Sequence, residues 1–418
     1  MISLRNNASR IRLVLMALLL TYLIGNISRH SGWYHWDFST YYHAANVWAA
    51  GGDPYDSEAI KKDGGSANFP FLYPPVVLLF FWPFTIFSLN VALQVWLFLR
   101  VLLLIPLILL WWRWFVPTGR DWLFGLFLII AFWGPIYLDL RAGNVTIVEQ
   151  LLLWIGLALF LKKRWLWFCV CVVTAAIFKG TPLLFLGLLA LPGVQHRIKL
   201  MLGSIGLFGF LHGVGYMMNP AQFAKYAKAA LTWDERGKDF NPSTLAALKD
   251  VWDPLRARGV PPIIVDALTF AAYAAAVAVV LWFSWKAYRR LVALRTDEAT
   301  SETDRLAVLI MLATLVCALV VPRLKVYTLM MILPVTYYVI RTEASRGALL
   351  LWMILLSMSN HTFLPIDAGF ISSAGLYYPL LMLYLVWGVW TYRIIRSPAS
   401  TVTTLEPAEA SPADSAPI

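Results

Sequence analysis

The sequence predicts an all-α membrane protein, a polytopic bundle of helices, on three observations. Of its 418 residues, 60% are hydrophobic and 14% charged, and the mean hydropathy is +0.68. A soluble domain carries about 25% charged and about 45–50% apolar residues. Apolar runs close to the ~20-residue length of a bilayer span recur along the chain. The cations behind the net charge of +11 gather beside those runs, at Lys162-Lys163-Arg164, Arg289-Arg290 and Arg393/Arg396. That pattern belongs to positive-inside topology and anionic-lipid contact, not to nucleic-acid binding. Each span must then be a helix, because open strands leave backbone groups unsatisfied in lipid.

Taken in order, the first run (11–27) follows Arg5, Arg10 and Arg12 and resembles a signal peptide. No small-residue cleavage site follows it, so it reads as a retained first helix. Further spans are expected at 74–89, 91–112, 122–138, 145–161, 165–178, 181–192, 200–218, 263–285, 306–321, 326–341, 347–357 and 370–392. Several fall below the ~17-residue minimum, so some are broken, re-entrant or joined into one tilted helix. The total is 11–13, with the crossing parity around 74–120 and 165–192 left open. Working back from the C-terminus, the positive clusters put Asn144, Lys179, the 219–262 loop, Arg323, Lys325 and His361 on the extracytoplasmic side. The N-terminal arginines put Asp37 there too. One transmembrane domain therefore covers 1–397, with a large first extracytoplasmic loop at 28–73 and a second at 219–262. The 398–418 tail, rich in Pro, Ala, Ser and Thr, has no apolar face to bury and is expected to be disordered. Cys169, Cys171 and Cys317 all lie in apolar runs and give neither a disulfide framework nor metal spacing.

The wet segment 32–75 holds the first candidate for chemistry. Asp37 stands among Trp33, Tyr34, Trp36, Tyr41, Tyr42 and Trp48, just outside the hydrocarbon. Interface aromatics anchor a protein at the headgroups, and rings are also platforms for sugar faces. The plain alternative for Asp37 is a solvated loop acid. Asp53 and Asp56 sit in a Gly-Gly-Asp-Pro turn and read as turn and capping acids. Pro74-Pro75 fix a helix entry, and Tyr73 before them is placed to line a cavity.

Further along, Asp139 and Arg141 precede Gly143-Asn144, with Glu149 following inside an apolar stretch. Ionisable residues near the hydrocarbon mark functional sites by default. An Arg141–Asp139 or Arg141–Glu149 pair that only holds helices is the competing reading, as is an N-cap role for Asn144. Lys179-Gly-Thr-Pro182 and Pro322-Arg323-Leu324-Lys325 are charged breaks between apolar halves. They suit a lipid phosphate, for which Arg offers a bidentate fork. Snorkelling to ordinary phospholipid is the alternative. Arg100 lies mid-helix and faces the bundle, and His212 and His361 read as packed or surface residues. The sequence contains no Walker A loop, no HExxH, no Gly-x-Ser-x-Gly, no Cys/His metal cluster and no Asp-x-Asp. A soluble nucleotide held through a metal is therefore not the expected donor.

The ordered segments D-F-S-T-Y-Y-x-A-A-x-x-W-x-x-G-G-D-P-Y (37–55), F-L-Y-P-P (71–75), G-N-V-T (143–146), F-K-G-T-P (178–182), N-P-S (241–243) and P-R-L-K-x-Y (322–327) resemble the GT-C-fold membrane glycosyltransferases. The group most resembled is the polyprenol-phosphate-mannose-dependent mannosyltransferases of family GT87, over about residues 12–392. The chain departs from that pattern at Gly143-Asn144-Val145-Thr146, where Gly-Gln-x-Asn is expected. The resemblance implies a GT-C-like bundle that moves a hexose, mannose first, from a polyprenyl-phosphate donor to a lipid-linked or cell-envelope glycan acceptor. Transfer would invert the anomeric carbon at the extracytoplasmic face of a bacterial inner (plasma) membrane. Asp37 takes the place of the general base. Arg323 and Lys325, then Lys179 and Arg141, are the expected ligands of the donor phosphate. Trp36, Tyr41, Tyr42, Tyr73 and Asn144 are the expected sugar and acceptor contacts. The expected partners are the polyprenyl-phosphate sugar, the glycan acceptor and membrane lipids, with no nucleic acid. The scheme calls for no metal and no cofactor. Rival readings are arabinofuranosyl transfer from the same kind of carrier, a transporter or flippase for lipid-linked sugars, and an O-antigen polymerase or ligase. A transporter would show internal helix repeats, and none is seen.

Overall fold

The computed structural model describes residues 35–66, 70–116, 122–131, 134–232, 234–237, 240–293, 302–343 and 376–396. The expected helix 11–27, the span 347–357, Trp33, Tyr34, His361 and the 398–418 tail lie outside the described residues. Throughout the described residues the regular structure is helical, as expected of a chain that must satisfy its backbone within each span.

Where it is described, the expected first loop is folded rather than open. It carries α1 (Trp36–Ala49) and α2 (Ser57–Lys62). Although α1 lies outside the apolar runs, it buries Phe38, Thr40, Tyr41, Tyr42, His43, Ala44, Ala45 and Val47. Phe38 stacks on Trp96 with ring centroids 5.5 Å apart and meets Phe84 edge-on at 5.5 Å. Each such ring contributes about 2–3 kcal/mol by burial, enough to hold a short helix against the membrane domain. The turn acids do what their neighbours suggested. Asp53 accepts from the Tyr55 amide at 3.0 Å, and Asp56 caps α2 by accepting from the Glu58 amide at 3.0 Å.

After a broken helical stretch, Pro75–Ile86, the chain forms α3 (Leu89–Trp114), α4 (Trp122–Ala131), α5 (Pro135–Ala142), α6 (Thr146–Leu161) and α7 (Trp165–Phe178). A 3-10 segment, Thr181–Ala190, leads to α8 (Arg197–Met218) and α9 (Pro220–Thr232). Next come α10 (Thr244–Ala257), α11 (Pro262–Ala293) and α12 (Glu302–Val320). A second 3-10 segment, Val326–Ile332, runs into α13 (Leu333–Glu343), and α14 (Tyr378–Arg396) closes the described chain. Among the described residues α3, α8, α11, α12 and α14 are long and apolar enough to cross a membrane. The short expected spans 74–89, 181–192 and the start of 326–341 are largely 3-10 structure. Pro75, Pro83 and Pro182 stand in the first turns of these segments, where a missing N–H is harmless. Runs this long in 3-10 geometry are uncommon and often mark a functional place in a helix.

α6 packs between α3 and α7, α11 against α10, α12 and α14, and α5 against Val326–Ile332. The larger core gathers Trp111, Phe115, Trp154, Phe160 and Tyr337. A second core beneath α1 gathers Phe38, Tyr41, Phe71, Phe81 and Trp96. The site lies where this second core meets α5, α6 and the 3-10 segment at Val326.

Candidate active site

The geometry of the site begins at the C-terminal end of α5. Gly143 ends that helix in the left-handed region (φ 76), and its amide and that of Asn144 both return to the Asp139 carbonyl, at 3.0 and 3.3 Å. Donors from outside the helix also reach the carbonyls at this end. Arg100 of α3 bonds those of Asp139 (2.7 Å) and Leu140 (3.2 Å), and Trp96 Nε1 bonds that of Gly143 (2.8 Å). The His35 amide, at the start of α1, bonds that of Arg141 at 2.7 Å. Two helices are thereby locked end to end: the N-terminus of α1, which carries Asp37, and the C-terminus of α5, which delivers Asn144.

Asn144 is buried and uses its whole amide. Its Oδ1 accepts from the Thr146 amide (3.1 Å), Thr146 Oγ1 (2.7 Å) and Lys179 Nζ (3.0 Å). Because a lysine has only protons to give, this side must be the oxygen. The Nδ2 side therefore faces Asp37 Oδ2 at 2.7 Å and the Tyr41 hydroxyl at 3.0 Å. Tyr41 and Tyr73 share a 2.8 Å hydroxyl–hydroxyl bond. Asp37, Asn144, Lys179, Tyr41 and Tyr73 are brought together in this way.

Lys179 also donates to Thr146 Oγ1 and lies 3.4 Å from Glu149 Oε2 and 4.6 Å from the centre of the Tyr327 ring. The two competing pairs for Arg141 do not form as ion pairs. Asp139 faces Arg100, 3.7 Å from its Nη1, and Glu149 faces Lys179. The reason is depth: Arg100, Asp139 and Glu149 are fully buried, so each needs an opposite charge from another buried element. Arg141 sits 5.9 Å over the Trp36 ring. Trp36 stacks on Phe240 (6.5 Å) at the edge of the site. Tyr42 points elsewhere and donates to the Phe87 carbonyl at 2.8 Å.

The cations of the Pro322–Lys325 break are held by the second loop. Arg323 donates through Nε and Nη2 to the two Glu235 oxygens, both at 2.8 Å, and Lys325 Nζ lies 2.8 Å from Glu235 Oε1. Asn241 Oδ1 accepts from the Leu324 amide (2.8 Å), Ser243 Oγ donates to the Pro322 carbonyl (2.7 Å), and the Val326 amide donates to the Phe240 carbonyl (3.0 Å). The 241–243 and 322–327 segments are thus the two halves of one joint. Lys325, Lys179 and Glu235 all act electrostatically on Asp37, and Arg323 acts on Tyr73.

Burial pushes the Asp37 carboxyl above the usual carboxylate range. The Asn144 amide, Lys325 and Lys179 pull against that shift. Burial, then the Tyr73 hydroxyl and Asp37, keep the Tyr41 hydroxyl protonated well past its ordinary value. Burial would also raise Glu235, but Lys325 and Arg323 overcome it and hold that carboxyl below its ordinary value. His35, buried and near Arg100, is lowered to about 3 and stays neutral. The arrangement offers an anchored carboxylate to take a proton and, beside it, cations suited to an anionic group.

Glu235, Thr146, Tyr327 and the Trp96–Arg100 clamp belong to the site beyond the residues expected from the sequence. Glu235 stands in the charge run Asp234-Glu235-Arg236, which reads as a solvated loop, and no local signal separates it from its neighbours.

No curated protein and no solved structure gives a significant match to the chain. A sequence profile of glycosyltransferase family 87 matches residues 71–311, more than half of the chain. The matched stretch includes Tyr73, Asn144, Lys179 and Glu235; Asp37 precedes it and Arg323 follows it. On that match, and with helices long and apolar enough to cross a membrane, the chain is an integral membrane glycosyltransferase belonging to glycosyltransferase family 87.

Proposed function

We propose that the chain transfers a hexose, mannose in the first instance, from a polyprenyl-phosphate carrier to a lipid-linked or envelope-glycan acceptor. The reaction runs at the extracytoplasmic face of a bacterial inner membrane and inverts the anomeric carbon. The observation that carries this reading is the Asp37 carboxylate, held by Asn144 at 2.7 Å and within the electrostatic reach of Lys325 and Lys179. One oxygen of Asp37 is anchored by Asn144, and the other takes the acceptor's hydroxyl proton. The acceptor oxygen bonds to the anomeric carbon as the bond from that carbon to the phosphate oxygen breaks. The electron pair leaves with the polyprenyl phosphate, whose added negative charge Arg323 and Lys325 offset. A carboxylate is a weak base for a sugar hydroxyl, so its raised affinity for a proton and fixed position both serve the step. Tyr41, Tyr73 and Trp36 supply ring and hydroxyl contacts for sugar. Lys179, engaged with Asn144, Thr146 and Glu149, contributes by orienting Asn144. Arg141 and Tyr42 have less direct parts in this scheme.

The test is transfer from radiolabelled polyprenyl-phosphate mannose in membranes holding equal amounts of wild type or Asp37→Asn. Transfer by wild type and its loss in the variant support the assignment. Equal transfer by both removes Asp37 as the base. Transfer by neither points to another carrier-linked sugar, such as arabinofuranose.

A further inference from the structure

The segment 234–237 is pinned on both sides of Glu235. Asp234 pairs with Lys249 of α10, and Arg236 reaches Asp250 and Asp253 of the same helix, each at 3.4 Å. The Gly237 amide donates to the Tyr377 hydroxyl at 3.1 Å, and that hydroxyl bonds Asp250 in turn. With 234 and 236 committed to α10, Glu235 is directed at the Pro322–Lys325 break. The break itself is fixed by Asn241 and Ser243. A carboxylate whose side chain is only 9% exposed is therefore held at a set position against Arg323, whose side chain is 40% exposed.

We propose that Glu235 is a positioning residue for the donor phosphate, acting through Arg323; this rests on the reading that Arg323 and Lys325 hold that phosphate. A guanidinium is planar, with five N–H groups in a rigid fork. Glu235 takes the edge formed by Nε and Nη2. The remaining edge, led by Nη1, is left in a fixed plane for a second two-oxygen acceptor, and a phosphate monoester or diester fits it. Without Glu235 the long Arg323 side chain, nearly half exposed, would sample many rotamers and give up that orientation on binding. Because its neighbours are tied to α10, Glu235 acts as a fixed buttress and not as a mobile carboxylate that the phosphate displaces.

The experiment measures binding of polyprenyl phosphate, and of the uncharged polyprenol as control, to the purified full-length protein in detergent. Thermal stability is recorded for each variant. Glu235→Ala is expected to weaken polyprenyl phosphate binding about tenfold and leave polyprenol binding within twofold. Glu235→Gln, which keeps an acceptor of the same shape and guards against loss of fold, is expected to recover part of that loss. In an Arg323→Ala background, itself weakened for the phosphate, Glu235→Ala is expected to add no more than about twofold. Tighter phosphate binding by Glu235→Ala would overturn the proposal, because the carboxylate would then be a competitor for the cations. Equal loss for phosphate and polyprenol, or full additivity with Arg323→Ala, would overturn it as well. If Arg323→Ala alone leaves phosphate binding unchanged, the reading beneath the proposal fails, and that outcome is distinct from the others.

Discussion

Replacing Gly143 by alanine is the sharpest probe of how the site is assembled. An added Cβ would stand 2.8 Å from Phe38 Cβ, 3.2 Å from the Phe38 amide nitrogen and 3.3 Å from His35 Cα. Two of those three atoms are backbone and cannot rotate away. Reaching an ordinary contact of 3.4 Å requires the start of α1 to withdraw by roughly 0.6 Å. Asp37 immediately precedes Phe38, so its 2.7 Å bond from Asn144 would stretch to about 3.3 Å, past the usual N–H···O range. The φ of 76 adds about 1–2 kcal/mol for a residue with a Cβ. Loss of a hydrogen bond to a charged group adds about 1.5–3 kcal/mol. The sum is roughly 2.5–5 kcal/mol of local destabilisation. A base displaced by a good fraction of an ångström should cost about ten- to a hundredfold in rate. Transfer from polyprenyl-phosphate mannose, measured in membranes at matched protein levels, should drop by that factor, and the melting temperature in detergent should fall by several degrees. Transfer within twofold of wild type, at an unchanged melting temperature, would refute the claim that close approach of α1 to Gly143 builds the site.

Other predictions follow from the same contacts. Lys179→Met leaves Glu149 buried without its cation, which should cost about 3–5 kcal/mol; the double variant with Glu149→Gln should recover most of it in thermal unfolding. The acid limb of the transfer rate should lie above the ordinary aspartate value of about 4, because Asp37 must be ionised and burial raises it. Removing the Asn144 amide with Asn144→Ala should move that limb to still higher pH, since its hydrogen bond favours the ionised form; a limb that moves down in a pH–rate series would contradict this. His35 titrates near 3 in the folded protein and near 6.5 unfolded. The unfolded chain therefore gains a proton first, and stability should fall as pH drops from about 6.5 toward 3. His35→Asn, which tolerates the left-handed φ of 68, should flatten that dependence in melting curves. Asn241→Ala leaves the buried Leu324 amide without its acceptor and should cost about 1–3 kcal/mol by the same measurement.

Local chemistry was legible in the sequence. Hydropathy determined the helical membrane class, because lipid offers the backbone no other partners. Gly and Pro marked the breaks at 74–75, 180–182 and 322, and Asp53 and Asp56 were readable as turn and cap because each bonds an amide two residues on. The order of the six motifs carried the family. What the sequence could not express is pairing at a distance. Asp37 meets Asn144 across 107 positions, Lys179 meets Asn144 across 35, and Arg323 meets Glu235 across 88. Arg141 stands two residues from Asp139, but positions i and i+2 of a helix do not face each other, and Arg100, from a different helix, is the one that reaches Asp139. Helical period and turn chemistry act over four or five residues. Which buried charge finds which partner is settled by how α1, α3, α5 and α6 pack, since only the packed helices bring such groups into a low-dielectric interior where an unpaired charge is too costly to leave.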